Sequence, residues 1–308
     1  MASVATKQFL ILGCGYVGAA VADRALAAGW TVTALTRNPV TAATFEARGI
    51  RSVVADLASD EWHEQVPAAP EFVLNCVSSG GGGVESYTRS YLRGMESIVR
   101  WRRRVPAAGT IVYTSSTSVY AFGGARRVDE LMPAEPATER ARILAETEAT
   151  LAAARSAWAR VFTLRLAGIY GPGRTYLVEQ VRRGEIAGVG HHHLNLIHRD
   201  DIVGAIMGCL LAPPAVTGGV FNVVDDQPTP KAEVVAWLAE RVGAEHTPGS
   251  LGAANPHAEA AHHAMVAQQG GFAEPTLGAQ ILDDDRLFTR QRVVRVGVRL
   301  QRQHRVPG

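Results

Sequence analysis

The sequence predicts a doubly wound α/β fold built on a parallel sheet, and three observations carry that prediction. A short apolar run, FLIL, leads into a turn containing Gly13, Gly15 and Gly18 and then into a helical segment, AAVADRALAAG. Strand-like apolar runs recur through the first half of the chain with helical segments between them, and strands that alternate with helices pair in parallel with both faces covered. The chain is 308 residues long, 47% hydrophobic and 19% charged, which is enough for a large core.

The turn FLILGCGYVG at residues 9–18 organises the rest. In a strand-turn-helix unit Gly13 makes the tight turn, Gly15 lets a pyrophosphate approach the backbone, and Gly18 lets the helix pack on the sheet, with Tyr16 and Val17 between them. The second strand, WTVTALT at 30–36, ends at Arg37, where a free ribose 2'-hydroxyl calls for an acidic residue. Arginine there favours the 2'-phosphate of NADP, with NAD as the alternative if Arg37 is a solvated side chain. Asn38 either joins that phosphate contact or starts the Asn-Pro turn. The third strand, 51–55, delivers Asp56 to an adenine amino group, or to a helix cap, and Leu57 to the ring face. The fourth, FVLNCV at 72–77, leads into SSGGGG, which puts Val77 and Ser78 beside the cofactor and Ser79 beside the substrate. Its glycines either admit a close backbone approach or make a flexible loop. A helical segment over 84–104 then leads to the fifth strand, 110–114.

A formal net charge of +2 is too near balance for a nucleic-acid partner, although the tail beyond Thr289 is locally basic. No apolar run is long enough to span a bilayer, and MASVATKQ lacks the basic start and apolar stretch of a secretory signal. A cytoplasmic protein with a small-molecule substrate, and without a membrane partner, is therefore expected. Cys14, Cys76 and Cys209 stand in separate apolar segments and read as buried thiols. His191, His192 and His193 are adjacent rather than spaced like converging ligands, so no metal is expected there. The DDDR stretch at 283–286 reads as a solvated polar turn.

GCGYVG, YTSSTSVY at 113–120, RLAGIYGPGR at 165–174, LIHRDDIVGAI at 196–206 and FNVVDDQPT at 221–229 occur in that order. As a set they resemble the extended and atypical short-chain dehydrogenase/reductases, the NAD-dependent epimerase/dehydratase-like group. The resemblance implies a Rossmann core over residues 1–167 and a smaller carboxyl-side substrate lobe over 168–308, with segments near 195–240 returning to the core. It further implies an oxidoreductase acting on a carbonyl or hydroxyl group of a small cyclic or secondary metabolite. A redox-neutral epimerase, isomerase or lyase and a non-catalytic NAD(P)-binding regulatory module are the alternatives.

Active members of that group hold a serine or threonine after strand five, and a tyrosine with a lysine four residues later on the next helix. Ser116 supplies the first. In PATERARILAET at 136–147, Thr138 takes the tyrosine's place and Arg142 the lysine's. A threonine hydroxyl does not replace a phenol whose pKa can be brought toward neutrality. Arg142 can hold the nicotinamide ribose and supply charge, yet it cannot shuttle a proton at neutral pH. Tyr120, Glu130 and Glu139 are the alternative proton carriers, Tyr120 also reading as a substrate-lining or structural side chain.

After the sixth strand, 162–166, the turn GIYGPGR puts Tyr170 and Arg174 at a carboxyl strand end, where Arg174 meets either an anionic or polar substrate or solvent. His198 is expected to hold the IHRDD turn against the substrate loop, with Asp201 capping a helix that begins near Ile202. Residues 253–271, helical over 256–269, fit a lid, a dimerisation segment of a homodimer or an altered tail.

Overall fold

Alternation along the first strand divides the core into two layers. In the computed structural model, which describes residues 6–120, 127–186 and 190–244, β1 (Gln8–Leu12) sends Phe9 and Ile11 to one face and Leu10 and Leu12 to the other. All four are 1% exposed or less, and burying side chains of this size contributes about 1.5–3 kcal/mol each. The segments at 253–271 and 283–286 lie outside the described residues.

The chain continues through α1 (Tyr16–Ala27), β2 (Thr31–Thr36), α2 (Pro39–Glu46), β3 (Arg51–Val54), β4 (Phe72–Asn75), α3 (Val84–Tyr87), α4 (Gly94–Arg102) and β5 (Thr110–Ser116). There follow α5 (Glu139–Ala153), β6 (Arg160–Leu166), β7 (Gly168–Tyr170), α6 (Tyr176–Arg183), β8 (His193–Leu194) and β9 (Leu196–His198). α7 (Arg199–Leu210), β10 (Gly218–Val223), β11 (Thr229–Pro230) and α8 (Lys231–Val242) complete it. Seven strands form one parallel sheet in the order β10-β6-β5-β4-β1-β2-β3. This is the doubly wound, Rossmann-like arrangement. The strand order reverses direction beside β1, which puts the switch point, where ligands enter such sheets, between β1 and β4.

On one face Phe9 meets Trp30 and Phe72 edge-on, while the latter two stack at 4.7 Å. On the other, Trp62, Trp101 and Trp158 pack with Leu10, Leu12 and Met95. Leu57 belongs to this second layer, 3% exposed, so its expected place on an adenine ring is corrected: protein atoms already cover it. Cys14 is buried while Cys76 and Cys209 are half-buried, and burial pushes the Cys14 and Cys209 thiols up to about 12.

The helical segment expected over 84–104 is interrupted. A π-helical turn, Thr88–Arg93, separates α3 from α4. The FNVV segment returns to the sheet as the edge strand β10, and its first residue, Gly218, has φ +119. A Cβ at Gly218 would stand 1.9 Å from the Val161 carbonyl oxygen, so only glycine enters this pairing. Away from the sheet, Val178 and Val181 of α6 pack against Val235, Leu238 and Ala239 of α8. Among the described residues no helix is long and apolar enough to cross a membrane.

Candidate active site

Because β1, β4, β5 and β6 are parallel neighbours, their carboxyl ends open at one end of the sheet. After β1 the chain turns through Gly13 at φ +82, where a Cβ would lie 2.3 Å from the Val77 Cα. Both the dihedral and the packing require glycine. Gly18 brings α1 onto the sheet: its Cβ would stand 2.8 Å from Cys76 Sγ, which donates to the Gly13 carbonyl at 3.1 Å. Gly15 differs from both, since a Cβ there would meet nothing within 4 Å. No side chain caps α1, and its first turn contains no acidic residue. The positive end of a 12-residue helix therefore faces open space without a competing carboxylate, an arrangement that fits a diphosphate. Val17 is buried behind the turn, and Tyr16 crosses to the far wall, its hydroxyl donating to the Pro172 carbonyl at 3.0 Å.

The rim beside β2 and β3 departs from the sequence reading. Asn38 Oδ1 accepts from the Val40 and Thr41 N–H groups at 2.8 and 3.4 Å and caps α2, so the carboxamide serves the helix rather than a phosphate. Asp56 accepts from the Ala58 N–H at 2.9 Å and pairs with Arg89 of the π-helical turn at 2.8 Å. Arg37 is exposed, and its Nη2 lies 3.3 Å from where a Gly80 Cβ would stand, against the glycine loop that follows β4. In that loop Ser78 is exposed and Ser79 buried.

Around β5 and α5 most polar atoms already have partners. Ser116 Oγ accepts from the Ser118 N–H at 3.2 Å and keeps its own proton. Thr138 is the N-cap of α5, its Oγ1 accepting from the Ala141 N–H at 3.2 Å, a role for which a small hydroxyl side chain is suited and a phenol is not. Arg142 stands one turn further on, exposed like Glu139 before it. Tyr120, 5% exposed, accepts from Arg165 Nη1 at 2.8 Å and has Asn222 Oδ1 at 2.9 Å and the Asp129 carbonyl at 3.1 Å as acceptors. Arg165 also holds Glu148 at 2.7 Å, and Ser115 donates to the same carboxylate at 2.5 Å. Burial opposes the Arg165 charge, but the Glu148 carboxylate and the Tyr120 hydroxyl outweigh it and raise the guanidinium pKa. Glu130 Oε1 accepts from the Asn222 N–H at 2.7 Å. Tyr120 and Glu130 thus tie the segment after β5 to β10.

Three segments converge on Gly171, whose Cβ would come within 3.0 Å of the Tyr16 hydroxyl and 3.1 Å of His198 Nε2. His198 Nδ1 accepts from the Asp200 N–H at 3.2 Å and caps α7, which starts at Arg199. The cap expected of Asp201 is therefore made by His198, whose imidazole meets the Tyr170 ring edge-on at 5.2 Å. Arg174 and Arg199 lie 5.4 and 5.3 Å from the Tyr16 ring centroid. Arg199 is paired with Asp200. Burial lowers the Arg174 pKa, and the groups that favour its charge are the hydroxyls of Tyr16 and Tyr91.

Two side chains at this end of the sheet had no signal in the sequence. Tyr87 and Tyr91, four residues apart, lie in the stretch 84–104 that reads there as one helical segment. Here their rings lie 4.8 Å apart. Asn75 is the third omission, fully buried with Oδ1 accepting from the Val77 N–H at 3.3 Å and Nδ2 without a protein partner.

A glycine turn at an uncapped helix start, on the switch point of a parallel sheet, defines a dinucleotide-binding protein of the Rossmann class. The chain belongs to the NAD-dependent epimerase/dehydratase family, whose family model matches residues 9–223. It is similar to protein YeeZ of Escherichia coli K12, 33% identical over 226 residues that make up 70% of this chain and 77% of the relative. Among solved structures it is similar to MoeE5 in complex with UDP-glucose and NAD, 24% identical at a TM-score of 0.64 over 80% of this chain and 85% of that one. UDP-glucuronic acid 4-epimerase from Bacillus cereus, in complex with NAD, shares the fold at 15% identity and a TM-score of 0.67, over 78% and 85% of the two chains. These complexes overturn the NADP preference inferred from Arg37, because the dinucleotide they hold is NAD. Arg37 itself lies along the loop after β4.

Proposed function

We propose that this protein is an NAD-dependent enzyme that oxidises or reduces a hydroxyl-bearing carbon of a small molecule. The observation that carries this reading is the open position over Gly15 at the uncapped start of α1. The NAD complexes among the similar structures support it. Bound NAD supplies the site with a hydride acceptor or donor. The chain's own residues do the rest: the turn from Gly13 to Gly18 holds the diphosphate, and Arg142 sets positive charge beside the ribose. Ser116, whose proton is uncommitted, donates to the substrate oxygen. Residues from Gly168 onward supply the substrate side, with Arg174 facing an anionic group on the substrate. The test is a fluorescence titration with NADH, followed by a screen of hydroxyl and carbonyl compounds, nucleotide sugars included, for absorbance change with NAD+ or NADH. Saturable NADH binding and turnover of at least one anionic substrate are expected. Failure to bind NADH defeats the reading.

A further inference from the structure

The residue that opens α1 reaches across the site with its side chain. Tyr16 follows Gly15 directly and begins the helix whose start fits a diphosphate, yet its hydroxyl donates to the Pro172 carbonyl, 156 residues further along the chain, at 3.0 Å. The loop it meets turns back on itself, because the Arg174 N–H donates to the Gly171 carbonyl at 2.8 Å. Gly171 sits so close to the same hydroxyl that a Cβ would come within 3.0 Å of it. One side chain therefore pins the loop after β7 to the cofactor turn.

Two guanidinium groups share the Tyr16 ring, and they differ in what holds their charge. Arg199, 5.3 Å from the ring centroid, is paired with Asp200 at 2.9 Å. Arg174, 5.4 Å from the same centroid, is half-buried, and its guanidinium makes neither a hydrogen bond nor an ion pair among the described residues. The ring face favours a cation at this distance but occupies none of its N–H donors. A half-buried arginine with no carboxylate beside it is a donor set without an acceptor, and an oxyanion that meets the guanidinium edge satisfies it through two parallel bonds. The loop that Tyr16 anchors fixes where that edge stands.

We propose that Tyr16 is a positioning residue: its hydroxyl and ring hold Arg174 beside the cofactor turn, where the guanidinium takes an oxyanion of the substrate. This rests on the reading above, in which NAD occupies the start of α1 and Arg174 faces the substrate. The backbone of Tyr16 then serves the dinucleotide while its side chain serves the second ligand. Removing the hydroxyl therefore weakens the oxyanion contact and spares the cofactor.

The test uses the full chain with NADH and inorganic phosphate. Saturating NADH fills the diphosphate position, so phosphate added in a calorimetric titration is left with the Arg174 guanidinium, and saturable binding is expected. Arg174→Gln should raise the phosphate dissociation constant about tenfold or more, and Tyr16→Phe about two- to tenfold, as loss of a charged and of a neutral hydrogen bond predicts. Arg199→Gln should leave it unchanged. NADH affinity should be unchanged in all three variants, a split that a general loss of structure does not produce. Should Tyr16→Phe fail to fold, Gly171→Ala, whose Cβ presses on the hydroxyl, should give the same split. No phosphate binding to the NADH complex, binding that survives Arg174→Gln or is lost in Arg199→Gln, or full phosphate affinity in Tyr16→Phe overturns the proposal and leaves the cofactor reading standing. A fall in NADH affinity in Arg174→Gln assigns that guanidinium to the cofactor's own diphosphate and overturns it as well. Absence of NADH binding overturns both.

Discussion

The turn after β1 and the cluster around Tyr120 sit at the same end of one sheet and treat their polar groups in opposite ways. At the turn, no side chain caps α1, no carboxylate stands in its first turn, and the space over Gly15 is open. At the cluster, Arg165, Glu148, Ser115, Tyr120 and Asn222 hold one another. The difference teaches where to look for a ligand: residue type at a motif position is a weaker guide than whether its polar atoms are already partnered.

Breaking the saturated cluster should produce the largest effect. Glu148→Gln leaves a buried arginine without its counter-charge, and a loss of about 3–5 kcal/mol is expected in chemical denaturation. Tyr120→Phe, which keeps the ring, should cost less, and NADH affinity measured on the folded fraction should be unchanged for both. Either variant losing NADH affinity while remaining folded would make the cluster part of the binding site.

The turn should respond in the reverse sense. Gly15→Ala meets no protein atom, so its melting temperature should hold while NADH affinity falls tenfold or more. Gly13→Ala should lose both, with a stability cost of about 2–4 kcal/mol from the positive φ and the clash with Val77. If Gly15→Ala binds NADH normally, the opening over that residue is not the diphosphate site.

A buried titratable group lies beneath α4. His63 Nε2 stands 2.9 Å from Ser97 Oγ, its side chain is 1% exposed, and burial lowers its pKa, with Asp60 opposing in part. The folded state then resists a proton that the unfolded state takes below about pH 6.5, so stability should fall as pH drops through that value, at up to about 1.4 kcal/mol per unit. His63→Gln should flatten the dependence in denaturation measured across pH 5–7; an unchanged slope would assign the acid sensitivity to other groups.

The smallest effect is expected at Thr138. Thr138→Ala should cost about 1 kcal/mol by loss of the helix cap, and Thr138→Ser should restore it. A variant whose turnover falls with no change in melting temperature would put the threonine hydroxyl in the chemistry after all.

Much of the sheet was legible because it depends on local patterns. Apolar runs, the glycine turn and alternating helical segments predicted a doubly wound parallel sheet, and segments near 195–240 were expected back at the core. Each miss came from a contact between distant residues or from a competing local bond. Leu57 was read as a ligand contact because nothing local shows that Gly94 admits it to the core. Asp201 was given the cap of α7, yet the His198 Nδ1 reaches the helix start first. Arg165 and Glu148 are 17 residues apart on different elements, and Tyr120 meets Asn222 across 102 residues, so neither bond leaves a periodic trace. The π-helical turn escaped for the opposite reason: TRSYLR contains no glycine or proline to interrupt a helical reading.

The edge strand has a consequence for the order in which the molecule is made. β10 pairs with β6 along six residues, from Gly218 beside Val161 to Val223 beside Leu166. A chain growing on the ribosome exposes the backbone edge of β6 until β10 has been synthesised. An open edge of that kind invites pairing with a neighbouring copy. Tyr120 gains its Asn222 contact only when β10 arrives, so the last strand to join the sheet also closes the polar cluster beside the site.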